Sequence, residues 1–147
     1  MTTIRPVEAA DIEQIVLLEP QIFESDAWSE SMIRDELSAD HRSYFVAVDG
    51  NSVVGYAGLL AVGAEGDVQT IALSEQYRGK GIGRELLNTL IDAARQRQAR
   101  QLFLEVRADN ANAIALYQSS GFEILGERPG YYQPGNVAAI VMRRNID

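Results

Sequence analysis

The sequence has no cysteine and a single histidine, His41. The first absence excludes disulfides and thiolate metal sites, and one imidazole is a poor foundation for a zinc or iron centre. No metal is therefore expected. Basic charge is also scarce: 13 Lys and Arg stand against 21 Asp and Glu, a formal net charge of −8. A nucleic-acid binder needs a basic face, so this balance argues against one and suits a basic substrate drawn to an acidic surface. No apolar run is long enough to span a bilayer, and MTTIRPVEAADIEQ at the N-terminus lacks the apolar core of a signal peptide. A cytoplasmic protein without a membrane partner is expected. Internal repeats, low-complexity tracts and linker-like shifts are missing too, so residues 1–147 read as one domain. At 46% hydrophobic and 23% charged residues, a chain of this length buries an ordinary core without covalent staples.

What is present is an alternation of periods. TTIRP reads as a short strand stopped by Pro6. From Ala9 to about Phe23, Ile12, Ile15, Val16, Leu18 and Ile22 share one helical face, with Pro20 expected to end or kink the helix. Ser29 is an N-cap candidate for a second helix carrying Met32, Ile33 and Leu37. SYFVAV and SVVGYAGLLAV, joined by Asp49-Gly50-Asn51, form a hairpin signal, and DVQTIAL is a further strand. A helix from Gly83 to about Arg97 turns Leu86, Leu87, Leu90, Ile91 and Ala94 inward, and QLFLEV follows as a strand. A short helix from Asn110 to Ser120 closes at Gly121, and FEILGERPGYY and NVAAIVMRR finish as strands. The order β-α-α-β-β-β-α-β-α-β-β is an α/β sheet with helices on both faces.

Chemistry concentrates in YRGKGIGREL, residues 77–86. Walker A needs Gly-Lys-Ser or Gly-Lys-Thr, and neither occurs here. The dinucleotide fingerprint also fails, because its last glycine falls on Arg84 or Leu86. What remains is Arg78-x-x-Gly81-x-Gly83, after a strand and opening a helix. Amides from Gly79 to Arg84, helped by the helix dipole, suit a pyrophosphate. The alternative is a flexible basic turn.

LFLEVRADNANAIALYQSSGF, residues 102–122, supplies the second pattern: Glu105 on a strand, Asn110 opening a helix, Tyr117 on that helix. Together the two stretches resemble the GNAT superfamily of acyl-CoA-dependent N-acetyltransferases. IALSEQYRGKGIGRELL, LEVRADNANAIALYQSSGF, GYYQP and, in support, AWSE resemble more narrowly its RimI group, which acetylates the α-amine of protein N-termini. The resemblance covers nearly the whole chain. It implies the GNAT (acyl-CoA N-acyltransferase) fold: a mixed, mostly antiparallel sheet with splayed central strands, flanked by helices. It implies acetyl-CoA as co-substrate, lying between residues 67–73 and 101–106. The pantetheine arm would follow the backbone of Ile71, Ala72 and Leu73. The pyrophosphate would rest on Arg78, Gly79, Lys80, Gly81, Ile82, Gly83 and Arg84, where a Cβ at Gly81 or Gly83 would hold it off. Arg78 and Lys80 add charge or are simply solvated, the lysine more so.

By the same resemblance Glu105 is the general base, acting directly or through water; its alternative role is an ion pair with Arg107, two residues along the same strand face. Tyr117 is the general acid for the leaving thiolate, or else a half-buried aromatic. Asn110 binds the cofactor, caps its helix, or does both. A backbone N–H near Leu73 would stabilise the oxyanion. Tyr131 and Tyr132 would line a slot for the substrate N-terminus, unless they are ordinary strand aromatics. Glu65 and Asp67 are further candidates for touching the acceptor, and His41 belongs to a surface loop. Two departures from the group's pattern are Ala27-Trp28-Ser29 for Pro-Trp-Ser, which bears on the substrate-side loop, and Asp109-Asn110 for Ser-Asn. The implied acceptor is a protein N-terminus, such as the N-terminal alanine of a ribosomal protein. A small amine, or a non-catalytic acyl-CoA-binding role, stands as the alternative.

Overall fold

The structure is a computed structural model that describes residues 2–147. Among the described residues the chain forms β1 (Thr2–Pro6), α1 (Ile12–Phe23), α2 (Glu30–Ser38), β2 (Arg42–Asp49), β3 (Ser52–Val62), β4 (Glu65–Leu73), α3 (Ile82–Gln96), β5 (Gln101–Arg107), α4 (Ala111–Ser119), β6 (Glu123–Tyr132) and β7 (Val137–Asn145). Short 3-10 turns precede α1, follow it, and follow β4. This is the order read from the sequence. Ser29 caps α2 as expected, its Oγ accepting from the Met32 N–H at 3.2 Å. Pro20 does not end α1, which runs on to Phe23. It sits in the last turn, where its ring costs one backbone bond, and its own carbonyl still accepts from the Glu24 N–H. Met32 is exposed and only Ile33 of α2 is fully buried.

The seven strands order as β1-β2-β3-β4-β5-β7-β6. All neighbours are antiparallel except β4 and β5, which run parallel. Side chains alternate between the two faces, and each face gathers its own core. On one face α3 lays Leu86, Leu87, Leu90, Ile91 and Ala94 against Ala47, Ala57, Leu59 and Leu102. On the other, α1 and α2 bring Ile15 and Ile33 to Val46, Val53 and Tyr56.

Two irregularities shape the centre. The β2–β3 ladder skips Val54 and the β3–β4 ladder skips Gln69, which faces no partner between Val68 and Thr70. An extra residue on one strand bends it and raises its twist. Beside the second bulge, β4 keeps only three parallel pairs with β5, ending at Asp67 and Phe103, and the strands then part. The bulge is held from the side. The Gln69 Nε2 donates to Glu36 Oε1 at 2.8 Å, and the same oxygen accepts from the Tyr44 hydroxyl and Arg42 Nε.

Tyr44 lies over Gly58, where an added Cβ would fall 2.2 Å from its ring. Gly58→Ala must therefore push the ring, and with it the anchor of the bulge. Thermal unfolding is expected to shift down by roughly 2–10 °C, the range for an overpacked core position in a chain of this size. An unchanged midpoint would mean that the ring moves aside freely.

Candidate active site

The parting of β4 from β5 leaves backbone without a sheet partner. The Ser74 N–H donates to the Val54 carbonyl at 2.8 Å, so by alternation Ala72 also turns its backbone groups to β3, while those of Ile71 and Leu73 face the gap. The Leu73 carbonyl there meets Arg78 Nε at 3.4 Å. Of the three residues foreseen along the pantetheine arm, two thus offer hydrogen-bonding groups to the gap, and Ala72 is buried beneath them.

Beyond β4 the glycine loop is built by backbone geometry. Gly79 and Gly81 have φ of +77° and +85°, and the space on their Cβ side is open. Only glycine takes that conformation freely. Gly81 is the N-cap of α3, with no side chain bonding to the helix end; the first intrahelical bond runs from the Glu85 N–H to the Gly81 carbonyl. The N–H groups of Ile82, Gly83 and Arg84 precede that bond and carry the positive end of a fifteen-residue helix. Gly83 is different: its φ is not positive, and an added Cβ would rest against Leu116 of α4 at 3.6 Å, an ordinary contact. The side chains divide as well. The Arg84 guanidinium goes to Ser119 and Ser120 at the end of α4, leaving only its amide for the loop, and Lys80 sits 5.4 Å from the Tyr77 ring centre. The Tyr77 hydroxyl donates to Asp49 at 2.6 Å, fixing the loop to the β2–β3 hairpin.

Asn110 does cap α4: its Oδ1 accepts from the Ala113 N–H at 3.1 Å, which leaves its amide nitrogen for other work. One turn from the end of α4, Tyr117 is buried, its ring edge-on to Phe122 at 6.0 Å. No group among the described residues bonds its hydroxyl, yet no buried side-chain oxygen lacks a partner. The ring is therefore enclosed while the hydroxyl reaches open space. Burial, and then the nearby Tyr132, push its pKa up to about 12.

The gap widens into a cleft of about 770 Å³. Glu105, Tyr131 and Tyr132 line it, as do Glu65 and Asp67. The two tyrosines stack edge to face at 5.1 Å. Glu105 is partly exposed, and its carboxylate is 3.3 Å from Arg128 of β6. The alternative pairing of Glu105 with Arg107 is not formed, because Arg107 is engaged by Asp26 at 2.6 Å and by Asp109 at 3.0 Å. Asp26, Glu65, Asp67 and Glu105 make the cleft strongly acidic around the single Arg128. Partial burial, and then Glu65 and Glu105, hold the Asp67 carboxyl above its ordinary value. His41 is an exposed turn residue, as read, and among the described residues no three ligand-type side chains gather for a metal.

Sequence reading missed Asp26, Gln69, Arg128 and Glu19. The last left a signal: a glutamate on the apolar stripe of Ile15 and Ile22. It is buried, accepting from the Tyr56 hydroxyl at 2.5 Å and the Trp28 N–H at 3.0 Å, and so moors the loop between α1 and α2. The others are polar residues whose place in the cleft depends on strands far away in sequence.

Tyr117 gives a pH test. With the folded phenol near 12 and an unfolded phenol near 10, its contribution is complete below about pH 10 and is lost as pH rises through about 12. Wild type should lose up to about 3 kcal/mol more than Tyr117→Phe across that window in urea unfolding. Parallel curves would show that the ring is not enclosed.

Comparison with known proteins adds three observations. Residues 9–122 match the profile described as the acetyltransferase (GNAT) family. An N-alpha-acetyltransferase RimI of Mycobacterium tuberculosis is 40% identical over 97% of this chain and 92% of its own, and an uncharacterised Mycobacterium leprae protein is 41% identical, though the chain spans only 38% of it. The crystal structure of the ribosomal-protein-S18-alanine N-acetyltransferase from Escherichia coli superposes with a TM-score of 0.92 at 32% identity, covering 100% of this chain and 95% of that one.

Proposed function

The chain belongs to the acetyltransferase (GNAT) family, and from that premise we propose that it moves the acetyl group of acetyl-CoA onto the N-terminal α-amine of a protein. The acceptor in this reading is a ribosomal protein beginning with alanine or a similarly small residue, met in the cytoplasm. The names of the two full-length relatives support it. The observation that carries it is the acidic cleft opening where β4 and β5 part, with Glu105 on its wall and two tyrosines at its mouth. The donor side fits acetyl-CoA on its own terms. Ile71 and Leu73 offer a free strand edge, and the loop from Gly79 to Arg84 offers bare amides at a helix N-terminus.

Acetyl-CoA supplies a thioester whose carbonyl carbon accepts the amine. The chain's own groups do the rest. An α-amine has a pKa of about 7.7–8.0, so much of it arrives protonated at neutral pH. The four carboxylates favour that cation, and Glu105, steadied by Arg128, takes its proton directly or through a water. The Leu73 N–H, turned to the gap, donates to the oxygen as negative charge gathers there. The Tyr117 phenol, held protonated by burial, offers its proton to the departing sulfur. Asn110 adds its free amide to the donor side. Tyr131 and Tyr132 wall the slot and admit an extended chain end.

Released CoA measured over peptides starting with Ala, Ser, Thr or Met, and over polyamines, amino acids and aminoglycosides, tests the acceptor. Turnover of a small amine and of no peptide would overturn the reading. Glu105→Gln should lower kcat/KM by about 10²–10⁴-fold at pH 7, with the deficit shrinking above pH 8 as free amine becomes abundant.

Gly81→Val tests the donor side. Its φ of +85° makes any side chain strained, by roughly 1–2 kcal/mol, and the branched Cβ would occupy the open side of the loop. The protein should stay folded while KM for acetyl-CoA rises about ten-fold or more, the loss of one charged hydrogen bond. Unchanged affinity would remove this loop from the site.

A further inference from the structure

Arg107, the last residue of β5, does not itself line the cleft, yet it holds two residues that do. Its Nη1 donates to Asp26 Oδ2 at 2.6 Å, and its guanidinium lies 5.2 Å from the Tyr132 ring centre. Nε and Nη2 donate to the two oxygens of Asp109 at 3.0 and 3.1 Å, next to the cap of α4. One planar fork thus joins the α1–α2 loop, the end of β6 and the start of α4.

The links differ in weight. The Asp26 side chain is 17% exposed and that of Asp109 57%, so the Asp26 bond is the better screened from water. The α1–α2 loop is moored twice: deep down by Glu19 through the Trp28 N–H, and at the rim by Arg107 through Asp26. Loss of the rim mooring alone leaves the deep one in place.

We infer that Arg107 is a positioning residue that sets the width of the acceptor cleft by clamping the α1–α2 loop to the Tyr132 end of β6. This rests on the acetyl-transfer reading for its catalytic consequence, and on geometry alone for its structural one. The fork sends three nitrogens to two carboxylates while its face meets an aromatic ring. A lysine ammonium cannot reproduce that pattern.

The test pairs kinetics with a readout that needs no turnover. Trp28 is the chain's single tryptophan and stands on the clamped loop, so acrylamide quenching of its emission reports the loop's position. Arg107→Gln should raise KM for an N-terminal peptide about ten-fold or more while leaving KM for acetyl-CoA near wild type, and should increase quenching. Asp26→Asn should act in the same direction, and the double variant should be no worse than the worse single one. Arg107→Lys should fall between wild type and Arg107→Gln on both readouts, and serves if the latter fails to fold. Unchanged peptide KM with unchanged quenching would overturn the inference. So would a loss shared equally by both substrates and accompanied by a lower Tm, which marks a plain fold contact. If wild type acetylates no N-terminal peptide, the acetyl-transfer reading falls, and the quenching series still decides whether the clamp exists.

Discussion

β4 carries one residue more than β3 can pair with, and much of the site follows from where that residue sits. At Gln69 the strand bends, its contact with β5 stops, and two parallel neighbours that would otherwise close the sheet are driven apart. An unpaired strand edge inside a sheet is normally a liability, because its N–H and C=O groups want partners. Here the exposed groups of Ile71 and Leu73 are what a ligand with amides of its own can use. The bulge is not left to local preference either: Glu36 gathers Gln69, Tyr44 and Arg42 onto one carboxylate oxygen and so anchors it to α2.

Charge is distributed in keeping with that opening. The cleft has four carboxylates and one arginine, whereas the glycine loop offers amides and the cations of Arg78 and Lys80. A cation and an anion are thereby drawn to different ends of one gap. The net charge of −8 is therefore less informative than its local arrangement.

Much of this could be read from sequence, for identifiable reasons. The strands announced themselves through apolar runs and turn signals and the helices through period and caps, and α3 buried the very residues its spacing nominated, because each depends on neighbours within a turn or two. The Ser29 and Asn110 caps were legible for the same reason. The failures have a common cause as well. Pro20, expected to end or kink α1, does not end it because it sits in the last turn, and the alternative role of Glu105, an ion pair with Arg107, gives way to a partner on β6, 23 residues away by chain and adjacent only through β7. Arg128 and Gln69 entered the site through strand order and register, and Asp26 through the bond of its loop to Arg107, none of which local pattern encodes. Glu19 was visible as a charge on an apolar stripe, but its bond to Trp28 was not.

The two hydrophobic clusters share no residue, although adjacent positions of one strand, such as Val46 and Ala47, feed one each. The sheet is thus a partition. The glycine loop, α3 and Tyr117 stand on the packing of one side; α1, α2 and the loop between them stand on the other. Apolar substitutions behind the partition can repack there without reaching the other cluster, whereas a change at Glu36, whose carboxylate reaches the bulge in β4, acts on both sides. Selection can therefore act on the two cores separately wherever that carboxylate is kept.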